Sequence, residues 1–317
     1  MGEMRILLHY AAGPAWQRDL ASLGSRGLEI DWCDESDDRR FYTLLPDAEV
    51  LWHALRPLSA GDIAKATRLR LIQKIGVGVN TIDLDAAKAR GIAVCNMPGT
   101  NTRAVAEMTL LLILACLRRL PLVDRAIREG RGWQLGSELQ ESYGELAGRT
   151  VGLVGYGAVG QTLAPGLAAL AAKVLYTDIA PNPAEPGAFR TLDDLLKEAD
   201  IISLHVPLTP ETAKLIDRRR LESMLPGAIL INTARGGLVD QPALIEALQS
   251  GRLGAAGLDV FHPEPVDADE PLLKLDNVVL TPHLAWLTTG TWRRSLEVAV
   301  ENCRRLSAAE TLLHRVV

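Results

Sequence analysis

Residues 151–160 read VGLVGYGAVG, and the next apolar run, KVLYTD, closes on Asp178. An apolar strand thus runs straight into Gly155, Tyr156, Gly157, Ala158, Val159 and Gly160, a helix-like segment follows, and a second strand ends in an acid about 20 residues on. This is the glycine fingerprint of a dinucleotide site in the context it requires. The glycines permit a tight turn and close approach of backbone to a pyrophosphate, and the helix start offers unpaired N–H groups. Asp178 suits the two hydroxyls of a ribose and repels a 2′-phosphate, so the expected cofactor is NAD, as NADH in the reducing direction, rather than NADP.

Around this motif the chain alternates. The apolar runs RILLHY, LEIDWC, AEVLWHA, LRLIQKIG and GIAVCNM fill the first hundred residues, separated by polar or helical stretches. A second series follows: TVGLVG, KVLYTD, DIISLHV, GAILINT, LGAAGLDV and NVVLT, with helical stretches near 158–170, 191–197, 211–223 and 240–250. Alternation of this kind predicts α/β architecture with two doubly wound parallel sheets. Between the series a helix over Arg103–Leu120 is expected to stop at Pro121, with an irregular segment to Gly148. A last amphipathic helix, roughly Gly290–Ala309, is expected to return to the first domain. The expected division is 1–100 with 288–317, and 101–287. Pro165 sits inside the helix after the glycine loop and predicts a kink near 161–165.

Bulk properties exclude several classes. The 317 residues carry a net charge of −5, and the only basic cluster, Arg218-Arg219-Arg220, lies in a polar helical stretch, so nucleic acid is not an expected partner. The longest apolar run, Met108–Leu117, is too short to span a bilayer and reads as a buried helix or subunit interface. The opening MGEMRILLHY lacks a signal-peptide layout. Cys33, Cys95, Cys116 and Cys303 are scattered and read as free thiols of a reducing, cytoplasmic compartment. No metal-ligand spacing occurs among the 6 histidines, so no metal is expected.

Three segments at strand ends of the second series carry candidate chemistry. INTARGGLVD holds Arg235, LDVFHPEP holds Asp259 and Glu264, and LTPHLAW holds His283. In an open parallel sheet, ligands gather beyond the C-terminal strand ends. Singly, each has an ordinary reading: a turn arginine, a solvated loop acid, a satisfied structural histidine. Together they suit reduction of a 2-oxo acid. An arginine fork binds a carboxylate, and a histidine paired with a carboxylate supplies the proton for a developing alkoxide.

At this point the chain resembles the D-isomer-specific 2-hydroxyacid dehydrogenases. The resemblance covers nearly the whole length and rests on GVGVNTIDLDAAKARGIAV, NTRAVAE, GLVGYGAVGQ, SLHVPLTPET, INTARGGLVD, GLDVFHPEP and TPHLA. It implies a Rossmann NAD-binding domain inserted into a flavodoxin-like substrate domain, and a homodimer built on the NAD-binding domains. It implies catalytic Arg235, Glu264 and His283, and cofactor contacts from Thr102, His205, Val206, Pro207, Thr212, Thr233, Ala234 and Asp259. Backbone N–H groups of Val77 and Gly78 are implied to hold the substrate carboxylate. Formate-dehydrogenase-like members carry Gln where this chain has Glu264, and phosphite-dehydrogenase-like members carry Lys where it has Val77.

Substrate size is read from fewer residues. Trp286 resembles the HxAW pattern of glycerate dehydrogenase/hydroxypyruvate reductase-like members, and as a pocket wall it favours short side chains. His53, Leu55 and Arg56, at the end of AEVLWHA, are expected to face the substrate. The leading expectation is reduction of a short acid of the glyoxylate/hydroxypyruvate type. The alternative is a D-3-phosphoglycerate dehydrogenase, for which Arg56 is a candidate phosphate contact. A remote third is an NAD-sensing binding protein.

Overall fold

The computed structural model describes residues 3–134, 136–182 and 186–317. The chain divides into two compact units, Met1–Asn101 with Thr288–Val317, and Thr102–Leu287.

The first unit is a five-stranded parallel sheet in the order β2-β1-β3-β4-β5, the flavodoxin-like winding. Its elements run β1 (Met4–His9), α1 (Pro14–Ser22), β2 (Leu28–Cys33), α2 (Asp38–Leu44), β3 (Val50–His53), α3 (Ala60–Lys65), β4 (Leu71–Lys74), α4 (Leu84–Ala89) and β5 (Ala93–Cys95). β3, β4 and β5 are buried throughout, as parallel strands covered on both faces must be. Side chains set the helix starts. Asp37 accepts from Arg40 N, Ser59 and Asp62 form a reciprocal capping box, and Asp83 accepts from Ala86 N.

The second unit begins with α5 (Thr102–Leu117), α6 (Leu120–Arg128) and α7 (Ser137–Glu141). Pro121 does not simply stop a helix, as expected, but opens α6: proline is compatible with a first helical turn, and Arg119 in the left-handed region makes the break. Then come β6 (Thr150–Val154), α8 (Ala158–Ala169), β7 (Lys173–Thr177), β8 (Ala188–Phe189), α9 (Leu192–Glu198), β9 (Ile201–Leu204), α10 (Arg218–Ser223), β10 (Ala228–Asn232), α11 (Gln241–Gln249), β11 (Leu253–Leu258) and β12 (Val278–Leu280). All pair in parallel, in the order β12-β11-β10-β9-β6-β7-β8.

Two local expectations change. β8, a seventh strand, has only two residues and left no periodic signal. The helix expected over 211–223 starts at Arg218, because the Asp217 carboxylate caps Arg220 N. α8 continues across Pro165; Pro165 and Gln161 lie on the exposed face, where a carbonyl without its helical donor can meet water.

One core packs Leu195, Leu204, Leu230 and Leu244 with their neighbours. Another packs Leu112, Leu153, Leu167 and Ile231. α12 (Thr289–Ser307) belongs to the first unit, where Asn302 bonds Gln73 Oε1 at 2.6 Å and Trp292 stacks on Trp16 at 3.8 Å.

Candidate active site

β6 ends in the glycine loop, beside the point where the strand order reverses. Gly155 has φ +99°, and a Cβ there would lie 2.7 Å from the carbonyl oxygen of His205; one at Gly160 would lie 2.6 Å from that of Gly155. Packing therefore accounts for both. Gly157 is different: a Cβ there would meet no atom within 4 Å, so the space before α8 is open, as a pyrophosphate cradle requires. Gly157 is also the N-cap of α8 and brings no capping side chain to its N–H groups. The Asp178 carboxylate accepts from Tyr156 N and from Ile179 N, both at 2.7 Å, and so holds the far side of the loop.

The other cofactor candidates fall on neighbouring loops. Thr102 begins α5. After β9, His205 is 2.9 Å from Ser203 Oγ, and burial pulls its pKa down to about 4. Val206 packs on the core and the Pro207 carbonyl accepts from Thr212, which also receives Thr209 N, so Thr212 holds this loop's shape. Thr233 is buried 3.0 Å from Thr109 Oγ1, and Ala234 N donates to Asn232 Oδ1.

Arg235 follows β10. Asn232 Nδ2 donates to its carbonyl, and its own guanidinium donates to Ala234 O. Burial pulls the Arg235 pKa down while Glu264 opposes this. At Gly236 a Cβ would lie 2.0 Å from Phe261 O, so only glycine lets this loop press against the loop after β11. That second loop carries Glu264, whose Oε1 receives Phe261 N at 2.8 Å and whose Oε2 is 2.7 Å from His283 Nδ1. Burial pushes the Glu264 carboxyl up, but the hydrogen bond and charge of His283 outweigh it and hold the group below the usual glutamate range. A carboxylate on Nδ1 puts the ring hydrogen there, which leaves Nε2 for proton exchange.

His283 itself sits at φ +54°, a conformation most residues avoid. Its N–H donates to Asp259 O at 2.7 Å, and Trp286 Nε1 donates to its carbonyl. Asp259 is fully buried and accepts from Leu284 N, Ala285 N and Thr281 Oγ1. Its placement is that of a bracket for the His283 turn. Trp286, expected as a pocket wall, is 6% exposed and braces the same turn. Sequence reasoning missed Asn232, whose side chain bonds backbone two and three residues on, and Thr281, whose hydroxyl donates to the Asp259 carboxylate 22 residues earlier. Among the described residues no group of three or more His, Cys, Asp or Glu is placed to hold a metal ion.

In the first unit the substrate candidates separate. Val77 is 44% exposed, in the loop after β4. The Gly76 carbonyl accepts from Met97 N and the Val77 carbonyl from Asn96 Nδ2. A planar trans peptide points its N–H opposite its carbonyl, so the N–H groups of Val77 and Gly78 both turn away from Asn96 and Met97. Leu55 is half-buried, its N–H on Glu35 Oε1. His53, expected to face substrate, is instead fully buried, with Nε2 2.6 Å from Arg56 O and Nδ1 3.4 Å from Lys74 Nζ. Both faces of β3 are covered, so its last residue is enclosed by the protein rather than presented to a ligand. Arg56 is drawn to Asp38 at 2.7 Å, with its guanidinium over Phe41 at 5.0 Å.

Comparison with known proteins adds an independent line. Residues 110–285 match the family model described as D-isomer specific 2-hydroxyacid dehydrogenase, NAD binding domain. The chain is 40% identical over 296 residues to D-3-phosphoglycerate dehydrogenase of Mycobacterium tuberculosis, across 92% of this chain and 55% of that protein, so it spans about half the length of that relative. It is 39% identical over 283 residues to glyoxylate reductase of Korarchaeum cryptofilum, across 86% of this chain and 85% of that one. The solved structure of TT0316 protein from Thermus thermophilus superposes with a TM-score of 0.89 at 40% identity, over 99% of this chain and 100% of that one.

Proposed function

The chain belongs to the family of D-isomer-specific 2-hydroxyacid dehydrogenases, and on that footing we propose that it reduces a short 2-oxo acid, of the glyoxylate or hydroxypyruvate type, with NADH. The observation that carries this reading is the Glu264–His283 pair at 2.7 Å with Arg235 close enough to act on Glu264 electrostatically.

NADH, when bound, supplies the hydride. Arg235 holds the substrate carboxylate, and its guanidinium keeps the carbonyl carbon in one orientation. His283 Nε2 gives its proton to the oxygen as negative charge develops, and Glu264 stabilises the imidazolium beforehand and fixes the ring. Asp178 selects NADH by binding the ribose hydroxyls. In the first unit, the paired N–H groups of Val77 and Gly78 supply a carboxylate site. We assign Thr102–Leu287 to the cofactor and the remainder to the substrate.

The phosphoglycerate reading is supported by the mycobacterial relative, but Arg56, its phosphate candidate, is engaged by Asp38 and the ring of Phe41. The cofactor-sensing reading leaves the Arg235, Glu264 and His283 set without a use. A homodimer through the second unit is supported by the exposed apolar residues Leu111, Leu120, Ile127 and Trp133. No helix among the described residues is long and apolar enough to cross a membrane; the four free, buried cysteines favour a cytoplasmic setting.

The test is loss of NADH absorbance against glyoxylate, hydroxypyruvate, pyruvate, phenylpyruvate and 3-phosphohydroxypyruvate, with His283→Ala as control. Turnover of the short acids that disappears in the control is expected. Turnover of the phosphorylated acid alone transfers the assignment to the phosphoglycerate reading.

A further inference from the structure

Two residues before the Gly76–Gly78 turn the chain buries a lysine. Lys74 is the last residue of β4 and is 3% exposed. Its amino group donates to Ala54 O and Thr81 Oγ1 and lies 3.4 Å from His53 Nδ1. His53 Nε2 faces the Arg56 carbonyl, which can only accept, so Nε2 carries the ring hydrogen and Nδ1 is the acceptor for Lys74. Burial first, and Lys74 second, hold His53 well below its ordinary pKa, in the neutral form this pairing needs.

His53 ends β3, and the other two acceptors lie on two loops. Ala54, with Arg56, belongs to the loop after β3; Thr81 belongs to the loop after β4. The same loops also meet through Leu58 N on Thr81 O and Asp83 N on Leu58 O. A Cβ on Gly76 would lie 3.9 Å from Lys74 Cε, so the lysine side chain passes beside Gly76. On the other side, Met97 and Asn96 hold the Gly76 and Val77 carbonyls. The turn is thus held by its carbonyls on one side, with the lysine and the loops it joins packed beside Gly76, and its two N–H groups point away from Asn96 and Met97.

We propose that Lys74 is a positioning residue for the substrate carboxylate: by tying the loop after β4 to the loop after β3, it keeps the N–H groups of Val77 and Gly78 aimed at one anion. This rests on the reading that the carboxylate of a 2-oxo acid binds that turn. Lys74 touches neither substrate nor cofactor; it acts through the loop.

Two full-length variants test it. Lys74→Met keeps the stem and removes every donor, and Thr81→Val removes one acceptor while keeping the shape. Amide hydrogen exchange over 75–82, KM and kcat for glyoxylate, and the Kd for NADH are measured for each. Faster exchange is expected in both, with KM raised about tenfold in Lys74→Met and about threefold in Thr81→Val, and with kcat and NADH affinity within about twofold of the parent. A general structural lesion would lower kcat and NADH affinity as well. Unchanged exchange, or faster exchange without a rise in KM, overturns the assignment; if Lys74→Met does not fold, Thr81→Val decides. A parent protein that reduces none of the acids overturns the proposed activity instead, and the carboxylate role with it.

Discussion

The carboxylate of Asp259 receives the backbone N–H groups of Leu284 and Ala285, the two that follow His283. A buried acid on the loop after β11 thereby sets the direction of an imidazole on the loop after β12. The His283 turn has φ +54° and needs such a bracket to persist. Asp259→Asn replaces one acceptor oxygen with a donor that faces another donor. A stability loss of about 1–3 kcal/mol is expected, with kcat falling more than NADH affinity. Thermal unfolding and steady-state kinetics check this; a variant with parental Tm and kcat removes Asp259 from the bracket.

Glu264 is held below the usual glutamate range by its bond to His283, despite burial. A depressed folded-state pKa means that its contribution to stability is present above the ordinary glutamate range and is lost as pH falls through the folded value. In catalysis, Glu264→Gln takes away the charge that favours imidazolium. The alkaline limb of the reduction profile should then move to lower pH, with kcat reduced roughly 10- to 100-fold. An unmoved profile would sink the proton-transfer role assigned to the pair.

Asp178→Ala should weaken NADH about tenfold and NADPH much less, because NADPH carries a phosphate that the carboxylate repels in place of the 2′-hydroxyl that uses this acceptor. The same carboxylate holds Tyr156 N, so some loss for both cofactors is expected. Equal loss, measured by fluorescence titration, contradicts the assignment of specificity to this residue.

His9 is 1% exposed, stacked on Phe41 at 4.1 Å, and neither ring nitrogen has a hydrogen-bond partner. Burial, then the charge of Arg56, pulls its pKa down to about 4. Between the unfolded value near 6.5 and about 4, the unfolded chain binds the proton and the folded one does not, so stability falls as pH drops through that window. The loss attributable to His9 is about 3 kcal/mol. His9→Leu should give a shallower slope of denaturation free energy between those pH values; the buried His53 and His205 keep it from vanishing.

Arg56→Ala should cost roughly 1 kcal/mol through the lost Phe41 contact and leave the ratio of kcat/KM for 3-phosphohydroxypyruvate over hydroxypyruvate within about twofold. Selective loss of the phosphorylated acid would return Arg56 to the substrate site.

What depends on local pattern could be read from the order of residues alone. The five apolar runs of the first unit and the six of the second are strands, most of them short continuous apolar segments because a parallel sheet is covered on both faces, with the edge strand β2 half exposed. The glycine fingerprint with Asp178 and the strand-end positions of Arg235, Glu264 and His283 were legible for the same reason: their spacing is tied to the strand that precedes each. Matters that turn on residues distant in sequence were settled by the folded chain. It drew Arg56 to Asp38, buried His53 beside Lys74, and made Trp286 and Asp259 supports for the His283 turn. It also fixed Gly236, whose requirement for glycine comes from Phe261 on another loop. Local pattern reports which face of an element is apolar, but hydrogen bonds and close approaches between loops depend on how strands line up, and that is set by packing of the whole sheet.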